Sequence, residues 1–111
     1  SDPNLRIIIL RLKNARHLDA TSVMALEELI RQLRATGRDL LVSGAMRDVY
    51  RVLKDSGMIE VIGRENFFMG SAANPNLATR NALKRAQQIL GGREADIHIY
   101  YDPRQHSGAG I

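Results

Sequence analysis

Two short stretches carry the side chains that could do chemistry. In Leu18-Asp19-Ala20-Thr21-Ser22 a carboxylate and two hydroxyls stand together, where the apolar run Ile7 to Leu12 gives way to a helical pattern from Val23 to Ala35. Oxygens so placed accept hydrogen bonds from the free N–H groups of a first helical turn, whose partial positive charge also attracts anions. The cluster reads either as an N-cap or as hydroxyls displayed to a phosphate or another anion. Ser43-Gly44 closes a second apolar run, Leu40-Leu41-Val42, and turns the chain into another helix. It is a weak phosphate-loop signal on its own. The expected anion or nucleotide loop is thus Asp19, Ala20, Thr21, Ser22, Ser43 and Gly44, with only weak binding because Asp19 places a negative charge where the anion would sit.

Other chemistries find little support. His17, His98 and His106 share no ligand spacing with each other or with a carboxylate pair, so no metal site is expected. The chain has no cysteine, which removes disulfides, thiolate ligands and cysteine nucleophiles together and fits a reducing compartment. Neither the dinucleotide fingerprint, the P-loop nor the nucleophile elbow of hydrolases occurs. Thr21 and Ser22 have no evident base, since His17 is too close along the loop. Glu27-Glu28 fall on the solvated face of their helix. No enzyme and no cofactor are expected.

The elements that must position these groups alternate in kind. Ile7 to Leu10 is continuously apolar, as in a central parallel strand covered on both faces. Val23, Leu26, Leu29, Ile30 and Leu33 then recur at helical steps, and Gly37 supplies the residue that ends a helix. Leu40 to Val42 reads as a buried strand, and Met46, Val49, Tyr50 and Leu53 as the apolar face of a second helix stopped at Gly57. The short run Met58 to Ile62 reads as a third strand. Gly63 to Asn76 reads as loop, except for Phe67, Phe68 and Met69, expected to fold back on the core. Asn74-Pro75 opens a long helix to Leu90, stopped by Gly91-Gly92, and Ala95 to Tyr101 alternates as a strand with one wet face. Strands alternating with helices predict an α/β fold with a mainly parallel sheet, its functional loops at the carboxyl ends of the strands. The loops from Asn14 to Ser22 and from Ser43 to Met46 are expected to be neighbours.

With 111 residues, 44% hydrophobic and 25% charged, the chain suits one soluble domain: 1–5 an end segment, 6–101 the domain, 102–111 a flexible tail. Its longest aliphatic run is far too short to cross a bilayer, and no signal peptide is visible. A formal charge of +4 permits contact with polyanions, but the basic residues are interspersed with acidic ones and aromatics are only 5%, so nucleic acid is not an expected partner.

Taken together, Ile8 to Asn14, Leu18-Asp-Ala-Thr21, Ala25-Leu-Glu-Glu-Leu29, Leu40-Leu-Val-Ser-Gly44, Val52-Leu, Ser56-Gly57 and Ile62-Gly-Arg-Glu-Asn-Phe67 resemble a STAS domain. The closest likeness is to the domain at the cytoplasmic C-terminus of SulP-type sulfate and anion permeases. The resemblance, over residues 6 to 90, implies a STAS-type sheet with helices packed on it. It also implies a non-enzymatic regulatory or interaction domain at the cytoplasmic face of the plasma membrane. Its partners would be the transmembrane domain of the parent permease and cytoplasmic regulatory proteins.

Free-standing relatives, the bacterial anti-sigma factor antagonists, share the fold and carry Asp-Ser-Ser-Gly in this loop, the first serine being phosphorylated by a partner kinase. Here Asp19 matches the aspartate, Ala20 the phosphorylated serine, Thr21 the second serine and Ser22 the glycine. Phosphorylation-dependent partner switching is the alternative reading, with Thr21 or Ser22 replacing the missing serine. Family domains open with a strand pair and a helix, whereas this chain starts at what reads as their third strand. A sheet lacking those strands has a bare edge. Ile97 to Tyr101 is expected to add to it, within the chain or across a homodimer.

Overall fold

The computed structural model describes residues 5–12, 18–93 and 96–101. Strand β1, Leu5–Arg11, leads to helix α1, Ala20–Ala35, and β2, Asp39–Ala45, to α2, Arg47–Asp55, and the short α3, Met58–Ile62. A 3-10 turn at Arg64–Asn66 precedes β3, Phe67–Met69, then α4, Leu77–Leu90, and β4, Asp96–Tyr101. The four strands lie in the order β3-β2-β1-β4, all parallel.

Two apolar layers sandwich the sheet because side chains alternate along each strand. Leu12, Leu40 and Val42 pack with Leu26, Ile30 and Leu33 of α1, Val49 and Leu53 of α2, and Met58, Ile59 and Ile62 of α3. The opposite sides of the same strands, Ile7, Ile9 and Leu41, pack on Ala82, Ala86 and Leu90 of α4. Chain order runs outward from β1 through β2 to β3 on one layer, then returns over the other layer to place β4 beside β1. That reversal is the switch point of a doubly wound sheet, outside whose carboxyl ends ligands generally bind.

The strand from Ile97 to Tyr101 does add to the sheet edge, in register with β1 through Ile7↔Ile97, Ile9↔Ile99 and Arg11↔Tyr101. Being outermost, it keeps both faces partly wet: Ile97 joins the α4 layer, while Ile99 and Tyr100 are 40% and 48% exposed.

Three expected features are corrected. Met58 to Ile62 is helix, not strand: Gly57 and Gly63, at φ +81 and +97, turn the chain sharply on either side. Five residues bury Met58, Ile59 and Ile62, a spacing that only a helical turn brings to one side. The third strand is instead Phe67–Met69, where Phe67 pairs with Val42 and its ring stands 5.6 Å from that of Tyr50. Ser43-Gly44 is not a turn, since β2 runs on to Ala45. Gly44, at φ +85, sits where the register with β3 shifts between Ser43 and Ala45, and Gly70 donates its N–H to the Ala45 carbonyl at 2.9 Å. A β-carbon on Gly70 would stand 2.5 Å from the Gly44 carbonyl oxygen, so this approach requires glycine.

Candidate functional site

At the carboxyl end of the sheet the expected loop divides between the two faces. Asp19 is the N-cap of α1: its backbone is extended and its carboxylate accepts the Ser22 N–H at 2.8 Å, while its carbonyl accepts from Val23 at 3.0 Å. Satisfying a free first-turn donor is worth ~0.5–2 kcal/mol, so the cluster does at least the work of a cap. Ala20 and Thr21 are exposed in the first turn and Ser22 is half-buried. Of the two hydroxyls at this helix start, Thr21 offers the more accessible one.

Ser43 and Gly44 lie elsewhere. Both are buried in β2, and the Ser43 hydroxyl meets that of Thr79 on α4 at 3.1 Å. Because β2 alternates, Ser43 shares the α4 side with Leu41, whereas Asp19 to Ser22 open the helix that packs on the other side. The strand ends themselves are neighbours, with Arg11 opposite Ser43 and the Leu12 N–H donating to the Ser43 carbonyl at 2.8 Å. The loop residues Asn14 to His17 fall outside the described residues.

Sequence reasoning missed the centre of this cluster. Arg11, 9% exposed, is a guanidinium on the α4 side of β1, in the alternating row that begins Ile7, Ile9. It donates from Nη2 to Oδ1 of Asn76, the residue before α4, at 3.3 Å. A charge in that row must be compensated by partners or it would destabilise the core. The signal was present, since Arg11 interrupts an apolar strand at a position whose period-two neighbours are buried. Arg11, Ser43, Asn76 and Thr79 thus unite β1, β2 and the start of α4. They offer cationic, amide and hydroxyl donors.

A model of the STAS domain family matches residues 1–73, from β1 through β3. The chain belongs to the STAS family. Among curated relatives, sulfate transporter 4.1, chloroplastic, of Arabidopsis thaliana is 32% identical over 65 residues, 59% of this chain and 10% of the transporter. Probable sulfate transporter 4.2 of the same plant is 31% identical over 62 residues, 56% of this chain and 9% of that protein. The chain therefore spans about a tenth of the length of the relatives it matches. The likeness to permease STAS domains seen in the strand-to-helix motifs is the one these relatives carry. Helix α4 and strand β4 lie beyond the family match. Among the described residues no helix is long and apolar enough to cross a membrane.

Proposed function

We propose that this STAS domain is a non-enzymatic regulatory and interaction domain of a SulP-type sulfate or other anion transporter, lying at the cytoplasmic face of the membrane. The observation that carries the reading is the similarity of its β–α core to two proteins named as sulfate transporters. The polar cluster agrees with it, because Arg11, Ser43, Asn76 and Thr79 provide no general acid or base. In this reading the partners are the transmembrane part of the parent, cytoplasmic regulators, and a second copy paired along the outer edge of β4. The pure protein should not turn over nucleotides or esters. Steady ATP or GTP hydrolysis, lost in Asp19→Ala, would overturn the reading.

A second reading rests on the exposed Thr21 hydroxyl at the start of α1. A phosphate there would gain ~0.3–1 kcal/mol from the helix N-terminus, as in a partner-switching antagonist. Incubation with the cognate kinase followed by mass spectrometry decides it: phosphate at Thr21 with loss of partner binding favours the antagonist, and an unmodified loop favours the transporter domain.

A further inference from the structure

The charge of this molecule is unevenly distributed. Residues 66–93 hold Arg80, Lys84, Arg85 and Arg93 and no Asp or Glu, so the rest of the chain carries 12 basic and 12 acidic residues and this segment accounts for the whole formal charge of +4. The segment is built around α4, which covers its side of the sheet by itself among the described helices.

Two of the four cations have structural work. Arg85 donates from Nε to Asn66 Oδ1 at 3.0 Å, and Arg93 folds back on the Leu90 and Ile89 carbonyls at 2.9 and 3.0 Å, satisfying the end of the helix. Arg80 and Lys84 are exposed and form no hydrogen bond or ion pair among the described residues. Elsewhere cations stand among carboxylates: Arg31 lies near Glu27 and Glu28, Arg64 near Glu60, and the exposed Arg47, Arg51 and Lys54 of α2 share their helix with Asp48 and Asp55. Like charges one turn apart repel and weaken a helix, so folding gives no reason for the Arg80–Lys84 pair. The start of α4 adds to the same field, having no acidic residue in its first turn.

The buried stripe Ala78, Ala82, Ala86, Leu90 turns the opposite side outward, giving a ridge of Leu77, Arg80, Lys84 and Gln88. Leu77 is 39% exposed at its head. The ridge thus sets one exposed leucine beside cations, a surface suited to electrostatic contact with lipid headgroups rather than to deep insertion.

We propose that the outer ridge of α4 docks on an anionic lipid surface, holding the domain against the membrane. The partner follows from the carboxylate-free ridge, from Leu77, which a soluble polyanion would not use, and from the membrane setting of the transporter reading, on which this inference rests. Each cation near an anionic leaflet strengthens attraction by ~1 kcal/mol, about fivefold in partitioning, so the contact is weak and screened by salt.

The test is co-sedimentation of the full chain with vesicles of phosphatidylcholine alone and of phosphatidylcholine with one third phosphatidylserine. Arg80→Gln/Lys84→Gln is compared with Arg47→Gln/Arg51→Gln, two exposed cations on α2 with the same loss of charge. Circular dichroism melts establish that both variants fold. The expected result is binding to the anionic vesicles only, reduced by salt, falling about 25-fold in the α4 variant and far less in the α2 variant. Absence of binding by the wild type, or equal loss in both variants, overturns the proposal. Retention on heparin through Arg80 and Lys84 without vesicle binding overturns it too, assigning the ridge to an acidic macromolecule. None of these outcomes touches the transporter reading, which sulfate uptake tests separately.

Discussion

The hydroxyl pair of Ser43 and Thr79 shows how a residue of the expected loop came to serve a different contact. Its oxygens are 3.1 Å apart and buried, so Thr79→Val would leave the Ser43 hydroxyl without its partner. The expected cost is ~1–3 kcal/mol in urea denaturation, with Thr79→Ser, which keeps the bond, costing clearly less. Asp19→Ala should cost ~0.5–2 kcal/mol through loss of the cap to Ser22. Weak anion binding at the loop, with affinity in the high micromolar to millimolar range, would move the Thr21 to Met24 amides first when sulfate or GTP is titrated in NMR spectra. Shifts confined to the amino end of the sheet would rule it out. Asp19 was legible because a cap is written in adjacent residues. The side-chain partners of Arg11 and Ser43 were not, because they lie 65 and 36 positions away, and no local pattern says which residues meet across the sheet.

Among the elements, those with long periodic patterns were legible: β1, α1, β2, α2, α4 and β4 all stand where apolar spacing put them, with ends displaced by a few residues. Helix α1 starts at Ala20 rather than Val23 because the cap at Asp19 recruits polar residues into its first turn. The short elements misled for a physical reason. Met-Ile-Glu-Val-Ile is rich in β-branched residues, yet glycines with positive φ on both sides leave room for only one turn of helix. Gly70→Ala tests the close approach that ends β3, since its β-carbon would meet the Gly44 carbonyl. A loss of ~1–3 kcal/mol is expected in thermal or urea unfolding. Strand β4 is tested by ending the chain at Gly92, which strips Ile97 from the α4 layer and removes the pairing partner of β1. The shortened chain should melt at a lower temperature and sediment as larger species, because β1 would then be a bare apolar edge. Equal stability and size would make β4 dispensable.

For the molecule as a whole, the parallel α/β sheet and the STAS character were legible together, because order and spacing of weak motifs add up where each alone does not. The distribution of charge over the two faces was not, since it depends on which helix crosses which side of the sheet. Among the described residues, that crossing gives one neutral, mixed-charge layer of three helices and one basic layer of a single helix. The transporter reading assigns such a domain control over anion flux and no chemistry of its own. Its most direct test is sulfate uptake by cells expressing the transporter that carries this chain, compared with the same transporter bearing Leu41→Asp, normalised to the protein present in the membrane. Leu41 is fully buried between β1, β2 and α4, and a carboxylate there should unfold the domain. The account predicts that uptake per transporter changes severalfold while the transmembrane part remains in the membrane. Unchanged uptake per transporter with the domain unfolded would contradict it.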